Sequence, residues 1–154
     1  MYSWEMDRVI DQFADKDCGK GASAQELAEF EGRFGVTLPE SYKDFLRRYG
    51  WARFSHQEIY GLGPDVPAHL QLTRNTHSER FDMAPRLPPS LVPIMNDGAG
   101  NHYSLRTDQS VNGECPVVLW NHELGPEQEL APVSSTFRQW LLALLDTLKT
   151  SSDS

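Results

Sequence analysis

Sixteen residues, Gly35 to Gly50, constrain this chain more than any other stretch. Two glycines bracket a helix that Pro39 opens. Proline fits the first helical position because its missing N–H would have no intrahelical partner there. Glycine fits just past a helix end because it adopts positive φ without a Cβ clash. Between them Tyr42, Phe45, Leu46 and Tyr49 recur at the i, i+3, i+4, i+7 spacing of one helical face.

The flanking sequence extends this pattern on both sides. Met6, Val9, Ile10 and Phe13 mark a first amphipathic helix, and the polar residues 15–22 read as a loop. Ser23 and Glu26 form a capping-box signature ahead of a second helix, whose apolar face is Leu27, Phe30 and Phe34. After Gly50 the run from Glu58 to Leu62 is short and β-rich. Pro64 and Pro67 punctuate it, and a helix is expected from about Ala68 to Phe81, although Leu70, Thr73, His77 and Phe81 make no strong stripe. Pro85, Pro88 and Pro89 then force extended backbone.

The second half reads as an antiparallel meander. Strands are expected at Leu91–Met95, His102–Arg106, Cys115–Asn121 and Glu129–Val133, with Asn112-Gly113 as a turn dipeptide before the third. Ser134 or Ser135 is expected to cap a final helix carrying Phe137, Trp140, Leu141, Leu144, Leu145 and Leu148, the strongest apolar stripe in the chain. Helices at both ends and strands between them predict a single α+β domain over residues 1–154. Its core runs from about 3 to 149, and residues 150–154 form a frayed tail. The expected sheet is mixed or mostly antiparallel and packs against the N-terminal helices and the C-terminal helix. Leu144 is expected among the principal packing residues.

A chain of 154 residues can bury a core without staples. No apolar run approaches the roughly 18 residues of a membrane span, and the N-terminus lacks the basic start and apolar stretch of a signal peptide. Cys18 and Cys115 form no CxxC, so cytoplasmic residence without a disulfide framework is the default. The net charge of −8 argues against a sequence-independent grip on phosphate backbones, hence against direct nucleic-acid binding. It suits a basic partner, and equally suits ordinary solubility.

The segment from Asn96 to His102 is the most tempting chemical site. Asp97, Asn101 and His102 could be metal ligands or an acid–base group. The segment lacks the ligand ladder of an EF-hand and the Gly-Lys-Ser/Thr of a phosphate-binding loop. The plainer reading is a turn in which Gly98 and Gly100 supply positive φ and Asp97 bonds local amides. His56, His69, His77, His102 and His122 show no zinc-like spacing, and no Gly-x-Ser-x-Gly elbow occurs. Cys115 reads as a small buried residue. No metal, cofactor or catalytic residue is therefore assigned.

Trp140 belongs to the core stripe, whereas Trp51 and Trp120 are either core residues or aromatic anchors at a binding rim. If the meander loops converge, Asp97, Asp108, Glu114, Glu123, Glu127 and Glu129 make one acidic patch; the alternative is an ordinary solvated surface. The candidate partner-binding set is Trp51, Asp97, Asn101, His102, Asp108, Glu114, Trp120 and Glu123.

These signals, in this order, resemble the SMI1/KNR4 family, also called the SUKH domain. The resemblance rests on the Gly35–Gly50 unit, Ile59-Tyr-Gly61, Leu87-Pro88, Asp97-Gly-Ala-Gly100 and Ser135-Thr-Phe-Arg-Gln-Trp-Leu141, spread over about residues 24–145. The chain departs from the family pattern at Gly50-Trp51, in Tyr103-Ser-Leu-Arg106, and at the extra Thr136 between Ser135 and Phe137. The resemblance implies a non-catalytic binding function. SUKH domains occur widely as immunity proteins that bind and block a cognate bacterial toxin, often a nuclease, so the implied partner is a toxin domain, with a basic one suiting the charge. The alternatives are an interaction scaffold in a regulatory complex and, third, a small enzyme using Asp97 and His102. The family carries no shared catalytic residues, and the sequence leaves the oligomeric state open.

Overall fold

Local capping defines the N-terminal helices. Helix α1 (Ser3–Gln12) buries Met6 and Ile10. Ser23 opens α2 (Ala24–Phe34): its Oγ accepts the Glu26 N–H at 3.1 Å and Glu26 Oε1 accepts the Ser23 N–H at 3.1 Å. Gly35 ends α2 in the left-handed region with φ 65°. In α3 (Glu40–Arg48) Pro39 occupies the N-cap, one position earlier than expected. Gly50 follows the helix with φ 77°. Tyr42, Phe45, Leu46 and Tyr49 are all buried, as their spacing predicts. The computed structural model describes the backbone of residues 3–152 and the side chains of residues 5–149.

The core forms where α3 meets the C-terminal helix α5 (Phe137–Ser152). The Phe137 ring lies 4.8 Å from Tyr42 and 5.5 Å from Phe45, centroid to centroid. Phe137, Leu141, Leu145 and Leu148 are buried. Leu144 is only half-buried at the rim of this interface, because it sits between the buried stripe and the exposed Ala143 and Thr147. The cap of α5 is Thr136, neither Ser134 nor Ser135: its Oγ1 accepts the Gln139 N–H at 3.1 Å. The residue that departs from the family motif thus performs the capping. Of the expected frayed tail, residues 153–154 lie outside the described residues.

Two antiparallel sheets replace the single sheet expected. The first has the order β1-β2-β3, with β1 (Lys16–Cys18), β2 (Ala52–Phe54) and β3 (Gln57–Ile59). The polar stretch expected as a loop supplies β1. Cross-strand charge explains this better than apolar alternation does: Arg53 pairs with Asp17 at 2.9 Å and Asp15 at 3.2 Å across the β1–β2 register. The second sheet is the predicted meander in sequence order, with β4 (Leu91–Asn96), β5 (His102–Arg106), β6 (Val117–Trp120) and β7 (Pro132–Ser134). The Tyr60 N–H donates to Ile94 O at 2.8 Å beyond the end of β3, tying the first sheet to β4.

Strand alternation sends the meander's side chains to two places. Val92, Leu105 and Val117 join the main core with α5, whereas Leu91, Val118 and Trp120 pack with Leu87 in a second cluster. The helix expected over 68–81 is broken into a 3₁₀ turn (Ala68–Leu70), α4 (Leu72–His77) and a π-helical turn (Ser78–Asp82). Backbone pairing with Gly61 causes the first break, since Gly61 N donates to Leu70 O at 2.9 Å and Leu72 N to Gly61 O at 2.8 Å. At the π turn Arg80 is buried, and its guanidinium donates to the carbonyls of Phe34, Pro89 and Leu91 while lying 5.2 Å from the Phe34 ring centroid. The buried positions Leu70, Leu72, Thr76 and Arg80 follow these breaks rather than one helical stripe. Among the described residues, no helix is long and apolar enough to cross a membrane.

Candidate functional site

Antiparallel pairing decides which loops meet. His102 pairs with Trp120, so the 96–101 turn and the 121–131 loop share one end of the sheet. Leu105 pairs with Val117, which places the 107–116 loop at the opposite end, roughly 13 Å away at about 3.3 Å per residue. The acidic residues therefore do not form one patch. Asp97, Glu123, Glu127 and Glu129 belong to one end, Asp108 and Glu114 to the other. Asp108 pairs with Arg106 at 3.3 Å. Glu114 receives both the N–H and the hydroxyl of Ser41, at 3.0 and 2.7 Å.

The Asn96–Asn101 segment is the self-bonded turn that its glycines suggest. Asp97 Oδ1 accepts the N–H groups of Ala99 and Asn101 at 2.8 and 3.1 Å, and Oδ2 accepts the Asn101 amide at 3.0 Å. Burial pulls the Asp97 carboxyl upward, but these three donors and nearby His102 outweigh it and hold the group below its ordinary range. Asn101 Oδ1 accepts from the His122 N–H at 3.2 Å and from His122 Nδ1 at 2.9 Å. Because Oδ1 can only accept, the His122 proton sits on Nδ1. Asn101 thereby ties the turn to the loop that carries Glu123.

His102 and Trp120 are interior residues, unlike the other candidates for partner contact. His102 is 4% exposed; its Nε2 lies 3.1 Å from Tyr60 Oη and its Nδ1 3.5 Å from Glu79 Oε1. Burial lowers His102 to about 4 and raises Tyr60 to about 12, and it also raises the Glu79 carboxyl. Desolvation outweighs the attraction of Asp97, nearby His122 adds to the lowering, and the ring is held toward its neutral form. This arrangement joins β5, the first sheet and the π turn from inside. Trp120 is 1% exposed within the second apolar cluster, so it is no rim anchor. Both residues point inward because they share the sheet face that the 78–87 segment covers.

Trp51 is half-buried over Gly19, with its indole N–H 3.4 Å from Asp65 Oδ1. It stands directly before β2, and its carbonyl accepts the Gly19 N–H at 3.1 Å. Cys115 is buried, and burial pushes its thiol up to about 12. Among the described residues, no group of three His, Cys, Asp or Glu side chains is placed to hold a metal ion.

Two surface hollows adjoin the turn and share Gln57 and Asp97. One includes His56, Glu58, His69 and Asn96; His69 Nε2 lies 2.9 Å from Glu58 Oε2. The other runs between the meander and α5 and is lined by Met95, Tyr103, Val133, Trp140, Ala143 and Leu144. Half-buried Tyr103 packs there on the buried Trp140 ring at 5.6 Å. Sequence reasoning missed Gln57, Glu58, Tyr103 and Val133. Tyr103 had a signal, being an aromatic residue out of step with its buried neighbours His102 and Ser104. Val133 had none, because its exposure depends on β7 being the edge strand.

The comparisons with known proteins agree with this architecture. The model of the SMI1 / KNR4 family (SUKH-1) matches residues 21–143. The SPbeta prophage-derived uncharacterized protein YokK of Bacillus subtilis (strain 168) is 25% identical over a match that covers 79% of this chain and 74% of that protein. A crystal structure of a protein from Pseudomonas syringae pv. tomato superimposes with a TM-score of 0.64 at 20% identity, covering 91% of this chain and 98% of that one. That likeness bears on the fold alone.

Proposed function

The chain belongs to the SMI1/KNR4 (SUKH-1) family, and on that premise we propose that it is a non-catalytic immunity protein. It binds a cognate bacterial toxin domain one to one and covers the toxin's active site or substrate path. The observation that carries this reading is the pair of joined hollows at Asp97. An open aromatic and aliphatic surface there adjoins carboxylates, a combination suited to recognising another protein. Asp97 and His102 do not offer the third reading a working acid–base pair. The carboxylate holds its own turn and the imidazole faces inward. The prophage origin of one matching protein agrees with a gene carried on mobile DNA.

The test is co-expression with the C-terminal domain of the nearest large secreted-protein gene, scored for survival and co-purification. Rescue with a stable one-to-one complex is the expected result. A toxic domain that is neither neutralised nor bound would shift the function to a scaffold within a regulatory complex. The proposed residence is cytoplasmic, where an incoming toxin domain would be met.

A further inference from the structure

We infer that the joined hollows take a basic, partly apolar segment of the toxin, with apolar side chains against Tyr103, Val133 and Leu144 and a lysine or arginine beside Asp97 and Glu58. This inference rests on the immunity reading and specifies its contact.

The apolar half has the character of an unfilled interface. Val133 is 51% exposed on an edge strand, and Leu144 and Tyr103 are half-buried beside it. Large side chains left partly open in a contiguous patch mark a contact surface more often than scattered ones do. Tyr103 is the partly open aromatic of the patch, and the buried Trp140 ring beneath it at 5.6 Å holds it rigid, so its surface is offered at low entropic cost, as at binding hot spots.

The charge of the lining selects the occupant. Carboxylates Glu58 and Asp97 lie in the hollows, and among the described residues no lysine or arginine lines either one. Phosphate backbones are repelled by such a lining, whereas cationic side chains are attracted. The net charge of −8 adds a long-range attraction of the same sign. Asp97 and Gln57 belong to both hollows, so a single segment crossing them meets the apolar and the acidic halves in succession.

The experiment uses the full chain and the toxin domain identified by the co-expression test, inactivated at its own active site, with Kd measured by calorimetry across a salt series. Ala143→Arg blocks the apolar half from an exposed helix position. Glu58→Gln removes charge without touching the 96–101 turn. The expected results are at least about tenfold weaker binding for Ala143→Arg, and a shallower salt dependence for Glu58→Gln, both with unchanged melting temperatures. Wild-type binding that neither variant alters would place the contact elsewhere and overturn this inference while leaving the immunity function standing. Binding that strengthens with salt would overturn the cationic occupant. If sedimentation of the chain alone shows self-association that Ala143→Arg abolishes, the occupant is a second copy and the inference is wrong. If the wild-type chain does not bind the toxic domain at all, the immunity reading itself fails.

Discussion

Glu114 caps helix α3 from 73 residues downstream: its carboxylate receives the Ser41 hydroxyl at 2.7 Å and the Ser41 N–H at 3.0 Å. The helix has no side-chain cap of its own, because Pro39 stands at the N-cap. A carboxylate there also complements the positive end of the helix dipole. Glu114→Ala should lower stability by about 1–2 kcal/mol. Glu114→Gln, which keeps one acceptor, should cost less, and chemical denaturation of the two variants would show the order. Equal stability of Glu114→Ala and wild type would mean that α3 needs no distant cap.

Leu141 and Leu144 are three residues apart on α5, yet their environments differ. Leu141 is fully buried and Leu144 lies at the rim. Leu141→Ala should cost about 3 kcal/mol through lost transfer energy and a cavity. Leu144→Ala should cost about 1 kcal/mol, since its surroundings can relax and water can fill the gap. Thermal melts of both variants would measure the difference, and the reverse order would contradict this placement of α5.

Gly61 is held against Gly50. A Cβ at Gly61 would overlap the Gly50 carbonyl, where backbone rather than a flexible side chain stands in the way. Gly61 also bonds on both sides to Leu70 and Leu72. Gly61→Ala should therefore destabilise by about 3 kcal/mol. Gly32→Ala, where an added Cβ meets nothing, is the control and should be neutral or slightly stabilising. A Gly61→Ala variant that melts with wild type would show that the two backbone segments separate freely.

His102 makes stability depend on acid. Burial lowers it from 6.5 to about 4, so the unfolded chain takes up its proton first as pH falls. The stabilisation is complete above pH 6.5 and is lost as pH falls toward 4, by about 3 kcal/mol. Glu79 runs the other way, because burial raises its carboxyl and the cost of its charge is relieved as pH falls through that raised value. The net acid limb should therefore be shallower than His102 alone predicts. His102→Gln should flatten it further in urea titrations between pH 4 and 7. An unchanged limb would assign it to other groups.

The legible parts of the fold were those in which one stretch of chain carries its own instructions. The α2 capping box, the four-residue face of α3 and both ends of β5 match the structure as read. The parts not legible depend on distant partners. β1 is polar and becomes a strand through Arg53. The 68–82 segment breaks where Gly61 and the carbonyls around Arg80 claim its backbone and side chains. Thr136 caps α5 instead of either neighbouring serine, a choice of one residue among three able to cap. At the candidate site, Asp97 and Asn101 were legible as a turn, whereas Tyr103 and Val133 acquire their exposure only from the sheet edge and α5.

Periodicity and punctuation in the chain alone determined an α+β domain, a meander and a dominant C-terminal helix, because turns, caps and amphipathic faces are local events worth several contacts each. The tertiary structure decided which loops meet. In an antiparallel sheet successive connections fall at opposite ends, so six acidic residues close in sequence were separated into two groups. It also decided which side chains face water: His102 and Trp120 turn inward, and Tyr103 faces the groove beside Trp140. Strand alternation alone distinguishes two faces, but only the helix packed on each determines which one is covered.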